Sequence, residues 1–114
     1  MMTVPKAASP TCRSARPTAE SRTAVSVIIP CLDEEAAIGP CVAAVRTYGV
    51  GEVIVVDGGS RDATVAQASA AGARVTVERR RGYGRAMLAG IAALSPSATI
   101  VLFIDGDMSL KRAP

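Results

Sequence analysis

Histidine and tryptophan are absent from this chain of 114 residues, which also contains only one phenylalanine and two tyrosines. The lack of histidine excludes Ser-His-Asp triads and general acid or base catalysis by imidazole. Carboxylates must therefore carry any acid, base or metal chemistry. The three cysteines form no CxxC pair, so neither a disulfide framework nor a zinc site is indicated. A reducing, cytoplasmic setting is the default for such a chain.

Long apolar runs are missing as well. No segment reaches the length of a membrane span or forms the apolar region of a secretory signal, so we expect a soluble chain or one bound peripherally at the cytoplasmic face of a membrane. The net charge of +3 arises in residues 1–24, which have four basic residues and one acidic residue. These residues predict a disordered basic tail. Residues 25–114 are neutral, so we expect no nucleic-acid partner.

From residue 25 onward, apolar segments alternate with segments of helical periodicity. The apolar segments predict four strands, at residues 25–30, 52–57, 74–78 and 99–104. The segments between them predict a short first helical turn opened by the acidic residues 33–35, a main helix beginning near Pro40, and two later helices at residues 64–71 and 85–94. Such alternation is typical of parallel βαβ units, and the unbroken apolar runs indicate a sheet covered on both faces. We predict one α/β domain with a Rossmann-like parallel sheet and helices on both faces.

The motif Asp105-Gly106-Asp107 directly follows the last predicted strand. The carboxyl edge of a parallel sheet is where open α/β folds bind ligands. A glycine between the two carboxylates lets the backbone bend so that both can reach one cation. The motif therefore predicts a site for Mg²⁺ or Mn²⁺ that holds a diphosphate. The structural alternative is a polar turn at the end of a buried strand.

Two other predicted strand ends carry polar motifs, Pro-Cys-Leu-Asp-Glu at residues 30–34 and Val-Asp-Gly-Gly-Ser-Arg-Asp at residues 56–62. With Asp105-Gly106-Asp107 and the Gly-Tyr-Gly-Arg-Ala segment at residues 82–86, they make the chain resemble the family-2 glycosyltransferases of the GT-A fold. The resemblance covers residues 25 to about 109. The segment at 82–86, with Gly90 beyond it, is most similar to the dolichyl or polyprenyl phosphate sugar transferase branch.

The resemblance implies a glycosyltransferase with a nucleoside-diphosphate sugar donor, linked to UDP or GDP, and a polyprenyl phosphate as a possible acceptor. It places Pro30 and Glu34 in the nucleoside pocket and a hydrogen bond to the base at Asp57. Phosphate contacts are implied for Arg85. It assigns Asp105 to the diphosphate-sugar and, together with Asp107, to the metal. No catalytic base is identified.

In this family the half that follows the DxD motif carries the acceptor site and the general base. Only seven residues follow Asp107, so we expect a partial GT-A fold, truncated after the DxD strand. One alternative is a non-catalytic nucleotide-binding remnant that keeps the donor pocket. Another is a phosphotransferase resembling the haloacid dehalogenases, because residues 105–109 loosely match their nucleophile motif. That motif needs further acids downstream, and none of the five residues after Ser109 is acidic.

Several residues also have a structural interpretation. The structural role predicted for Asp57 is to end its strand, and that predicted for Cys31 is to fill a small apolar space. Asp62 is predicted to cap the second helix. Glu34 and Glu35 can also be interpreted as two solvated charges in the first helical turn. The basic run at residues 79–81 fits a solvated loop surface better than a phosphate clamp.

Overall fold

The computed structural model describes residues 24–104, in which strands and helices alternate throughout. The elements are β1 (Val25–Cys31), α1 (Glu35–Arg46), β2 (Glu52–Asp57), α2 (Thr64–Ala70), β3 (Arg74–Val77), α3 (Tyr83–Ala92) and β4 (Ile100–Phe103). Residues 1–23 of the predicted tail lie outside the described range, as do Asp105 and Asp107. Within that range, no helix combines the length and the hydropathy that a membrane crossing requires.

The strands form a four-stranded sheet in the order β3-β2-β1-β4, and every neighbouring pair is parallel. In the centre of the sheet, Ile28 of β1 lies opposite Ile54 of β2 and Phe103 of β4. Because all strands run in one direction, their carboxyl ends meet at one edge of the sheet. This architecture confirms the predicted α/β fold.

Helices cover both faces of the sheet, as the unbroken apolar strands predict. Val27 and Ile29 of β1 pack with residues of α1 and α2 in one buried cluster. Ile28, which points to the opposite face, belongs to a second cluster with Ile54 and Val56, against which α3 packs. Successive residues of a strand alternate between faces, so β1 contributes to both cores.

The close approach of α3 to the sheet depends on Gly90, which is buried. A Cβ placed on Gly90 would lie 2.5 Å from Cγ2 of Ile28 and 3.2 Å from Cγ2 of Val56. Any side chain at this position would push the helix away from β1 and β2. The helix begins at Tyr83, two residues before the predicted start. Gly82, with φ of +119°, forms the turn before it.

Pro30 does not end the first strand, which continues to Cys31. The amide of Ile104 donates to the carbonyl of Ile28, whereas the amide of Gly58 donates to the carbonyl of Cys31. Residue 30 therefore shares the β4 side of β1 with Ile28. The amide hydrogen that proline lacks would point beyond Phe103, the last residue of β4, so no bond of the described ladder is lost.

Pro40 does not begin a helix, because α1 already starts at Glu35 and runs through it to Arg46. The prediction that a short first turn ends and a main helix begins near Pro40 is therefore wrong, because both belong to one helix. A proline ring normally clashes with the Cβ of a helical residue before it, but here that residue is Gly39, which has none. Burial of Ile38 and Val42 against the sheet holds the helix on both sides of the proline.

Candidate functional site

A cleft of about 460 Å³ opens at the carboxyl edge of the sheet. The loops after β1, β2 and β3 line it, together with Val56 and Ala86. The lining residues are residues 30–33, at the end of β1 and just after it, then Gly58, Gly59 and Arg61, and finally residues 78–82. The cleft therefore lies where three of the four strands end, which is the position at which open α/β folds bind ligands.

The loops after β1 and β2 are held together by hydrogen bonds through Asp33. Its amide donates to Oγ of Ser60 at 2.8 Å, and its Oδ1 accepts from the amide of Arg61 at 2.9 Å. Asp33 adopts a φ of +52°, a left-handed conformation that aspartate and asparagine adopt more readily than most residues. This conformation lets one residue bridge both loops.

The first turns of α1 and α2 exchange a second set of bonds. Oδ1 of Asp62 accepts from the amide of Thr64 at 2.9 Å, so Asp62 provides a partner for a free amide at the start of α2 as predicted, although the N-cap residue itself is Ala63. Oδ2 of Asp62 also accepts from the amide of Glu35 at 3.3 Å. The pKa of Asp62 is held below its usual value chiefly by a hydrogen bond from the Thr64 side chain.

Glu35 is not simply solvated, since its Oε1 accepts from the amide of Ala63 at 2.9 Å. Glu34 likewise donates its amide to Oγ1 of Thr64 at 2.8 Å. Helix termini leave amides without partners, and here each helix supplies side chains to the amides of the other. The cleft is thus lined by loops that are firmly connected to each other.

Asp57 lies beneath the cleft rather than in its lining, with only 1% of its surface exposed. Its Oδ2 accepts from the amides of Gly59 and Ser60 at 2.9 and 2.8 Å, and its Oδ1 accepts from Oγ of Ser60. Asp57 therefore shapes the loop after β2 as well as ending the strand. The predicted hydrogen bond to a nucleotide base stays a prediction.

Cys31 lines the cleft next to this carboxylate, with Sγ 4.0 Å from Oδ1 of Asp57. Burial and the negative charges of Asp57, Glu34 and Asp62 raise the pKa of the Cys31 thiol to about 12. The thiol is consequently neutral at physiological pH and poorly nucleophilic. The interpretation of Cys31 as an apolar filler agrees with this environment.

The loop after β3 gives the cleft its charge. Arg80 binds Glu78 in a bidentate ion pair, with Nε 2.9 Å from Oε2 and Nη2 2.7 Å from Oε1. Hydrogen bonds from Arg80 lower the pKa of Glu78 to about 2. Arg79 and Arg81 also line the cleft, and neither forms an ion pair within residues 24–104. The basic run is exposed, as expected for a loop surface, but it also faces the cleft.

The predicted site residues are only partly brought together. Pro30 lines the cleft, whereas Glu34 and Arg85 do not. Asp105 and Asp107 lie outside the described residues. Among residues 24–104, no group of three or more acidic or cysteine side chains could hold a metal ion.

Two contributions to the cleft are not evident from the sequence. Arg61 has no role among the sequence predictions, although it lies within the motif at residues 56–62 that also contains Asp57. The basic run at residues 79–81 is predicted to be a solvated loop surface, whereas all three arginines also line the cleft. Its proximity to Gly59 depends on tertiary contacts between two loops, and the spacing of residues in the sequence does not show such contacts.

The amino-acid sequence matches the family model described as Glycosyl transferase family 2 over residues 26–112. An uncharacterized glycosyltransferase of Mycobacterium tuberculosis is 41% identical over 91 residues, which are 80% of this chain and 41% of that relative. Glucosyl-3-phosphoglycerate synthase of Mycolicibacterium paratuberculosis is 39% identical over 95 residues, covering 74% of this chain and 28% of the synthase. The chain thus spans less than half the length of these curated relatives.

Solved structures give the same result. The glucosyl-3-phosphoglycerate synthase of M. tuberculosis in complex with UDP superposes with a TM-score of 0.67 at 37% identity, covering 78% of this chain and 35% of the other. The same synthase with Mn²⁺, UDP-glucose and glycerol 3-phosphate gives a TM-score of 0.66 at 36% identity, covering 77% and 35%. These relatives do not support the predicted similarity to polyprenyl phosphate sugar transferases, nor a polyprenyl phosphate acceptor.

Proposed function

Because the chain belongs to glycosyl transferase family 2, we propose that residues 24–104 form the donor-binding part of an enzyme that transfers a sugar from UDP. The observation that carries this proposal is the basic cleft at the carboxyl edge of the sheet. Four arginines and two carboxylates line it, and it lies where three parallel strands end. An anionic donor suits this charge, and the solved relatives include complexes with UDP and UDP-glucose.

In this proposal the nucleoside contacts Pro30 in the cleft, and Glu34 and Asp57, which lie outside the cleft lining, are the candidates for hydrogen bonds to ribose and base. Pro30 is the member of this predicted set that lines the cleft. Asp57 supports the site by accepting hydrogen bonds from the amides of Gly59 and Ser60, which holds the loop after β2 in place. Arg85 remains a candidate for the phosphates at the start of α3, since Glu78, whose pKa is lowered chiefly by Arg80 and additionally by the charge of Arg85, lines the cleft.

The metal ligands in this proposal are Asp105 and Asp107. The amide of Ile104 donates to the carbonyl of Ile28 at 3.0 Å, so the residue before this motif lies beside β1. Carboxylate oxygens are the hard ligands that Mg²⁺ and Mn²⁺ prefer. When bound, such a cation would supply positive charge to the diphosphate leaving group. Related synthase structures contain Mg²⁺ or Mn²⁺ together with UDP.

For the acceptor, we favour a small phosphorylated molecule over a polyprenyl phosphate. Support comes from relatives whose solved complexes contain phosphoglyceric acid or glycerol 3-phosphate. The cytoplasmic location inferred from the cysteine content stays a prediction.

Thermal unfolding of the 114-residue chain tests the donor proposal. UDP with Mn²⁺, present at about one hundred times its dissociation constant, should stabilise the fold by about 2.7 kcal/mol. Asp107→Ala should remove the part of this stabilisation that depends on Mn²⁺, and EDTA should remove the same part from the wild type. The control is Glu52→Gln, at the opposite edge of the sheet, where Glu52 binds Ser26 and Arg74. This variant should lower the melting temperature without changing the UDP affinity.

A folded wild-type chain whose melting temperature does not change with UDP or GDP, with or without metal, would contradict the proposal. Equal effects of Asp107→Ala and Glu52→Gln on UDP affinity would contradict the assignment of the metal to Asp107.

A further inference from the structure

Two arginines of the cleft meet at the loop after β2, and neither has a carboxylate partner in the described part of the chain. Arg61 belongs to the loop after β2, and Arg79 reaches this loop from the end of β3. A Cβ placed on Gly59 would lie 3.3 Å from Cγ of Arg79. Gly59 has φ of +101°, so a side chain is disfavoured there on conformational grounds as well. The glycine therefore lets the stem of Arg79 pack onto the loop that carries Arg61.

The carboxylates that line the cleft are already engaged elsewhere. Glu78 accepts three hydrogen bonds from Arg80, two from its guanidinium and one from its amide. Oδ1 of Asp33 accepts from the backbone amide of Arg61, and its carboxylate forms no ion pair with the guanidinium. Arg80 is thus neutralised by its neighbour, whereas Arg61 and Arg79 keep their charge available.

Arg61 and Arg79 come from two different loops and line one cleft, so together they give it a positive charge that attracts an anion. Guanidinium groups offer planar, forked donors that match the oxygens of a phosphate. We propose that Arg61 and Arg79 form a pair that binds a phosphoryl group of the substrate directly, without a metal ion. This inference rests on the proposed function. It extends that function, because the two arginines, rather than the metal held by Asp105 and Asp107, would be the main contacts of the phosphoryl group.

The phosphoryl group has two possible sources with the same chemistry. One is the diphosphate of the donor, and the other is the phosphate of a phosphorylated acceptor. Both kinds of molecule occur in complexes of the related synthase. A test must therefore present the two sources separately.

The test is isothermal titration calorimetry on the 114-residue chain in EDTA, with uridine, UDP and 3-phosphoglycerate as separate probes. Arg61→Gln and Arg79→Gln should each weaken binding of a phosphorylated probe about tenfold, the effect expected from losing one charge-assisted hydrogen bond. Binding of uridine should not change. Arg79→Lys should recover part of the affinity, since it restores the charge without the forked geometry.

Arg46→Gln is the matched control because it removes the same charge from α1, outside the cleft lining. It should leave all three affinities unchanged. Loss of UDP affinity alone in the two cleft variants would support the inference with the donor diphosphate as the source. Loss of 3-phosphoglycerate affinity alone would support it with the acceptor phosphate as the source.

Wild-type affinity for both phosphorylated probes in the two cleft variants would overturn the inference. An equal loss in Arg46→Gln would also overturn it, because the effect would then come from net charge. If the wild type binds uridine and UDP equally and does not bind 3-phosphoglycerate, the inference fails while the nucleoside pocket stands. If it binds no probe in EDTA and UDP does not bind with Mn²⁺ either, the proposed function fails as well.

Discussion

At the scale of single residues, the carboxylates near the cleft mainly accept hydrogen bonds from backbone amides. Asp33, Glu35, Asp57 and Asp62 each accept at least one amide hydrogen from a loop or a helix start. Amides in tight loops need such partners because no neighbouring strand supplies them. The acidic groups therefore fix the shape of the site, and Arg61, Arg79 and Arg81, which form no ion pair within residues 24–104, are the side chains available to an anionic ligand.

Cys31 provides a prediction at this scale. A thiol with a pKa of about 12 is ionised in only about one molecule in a thousand at pH 9, whereas an ordinary thiol is about half ionised. Alkylation of Cys31 by iodoacetamide in the folded chain should therefore remain slow at pH 9 and accelerate only at higher pH. Site-resolved mass spectrometry measures the rate, and the same residue in guanidinium chloride is the control. Equal rates in the folded and unfolded chains would show that the pKa is not raised.

At the scale of elements, the succession of strands and helices along the chain could be predicted because apolar runs and helical periodicity are local features of the sequence. The interactions that build the site could not. The bond from Asp33 to Ser60 joins residues 27 positions apart, and Arg79 contacts Gly59 only because β3 lies beside β2. The first strand is predicted to end at Pro30, one residue too early. Whether a proline removes a sheet hydrogen bond depends on which neighbouring strand its nitrogen faces, and the sequence does not show this.

The packing of α3 gives a prediction with an internal control. Gly90→Ala should destabilise the fold by about 1–3 kcal/mol, because the new methyl group would overlap Ile28 and Val56. Gly84→Ala, in the same helix, should be neutral or stabilise by up to about 1 kcal/mol, since nothing lies within 4 Å of the added Cβ. Urea unfolding followed by circular dichroism measures both. Similar effects of the two substitutions would contradict the close packing of Gly90.

At the scale of the whole molecule, the two edges of the sheet differ in chemistry. The edge strand β3 carries Arg74, whereas β4 consists of Ile, Val, Leu and Phe. Within residues 24–104, β4 has only β1 as a neighbour, and Ile100 and Leu102 are 49% and 47% exposed. Leu88 and Ile91 of α3 add exposed apolar surface on the other face. An apolar edge strand without charge or proline can pair with another chain.

We therefore expect the 114-residue chain to self-associate with increasing concentration, through β4. Leu102→Lys should reduce this association, because a charge on an edge strand opposes pairing with a second strand. Val77→Lys is the control, since Val77 is 48% exposed on the other edge strand and the substitution adds the same charge there. Sedimentation velocity over a range of protein concentrations measures the distribution of species. A wild-type monomer at every concentration would contradict the expectation, and equal effects of the two variants would show that β4 is not the surface involved.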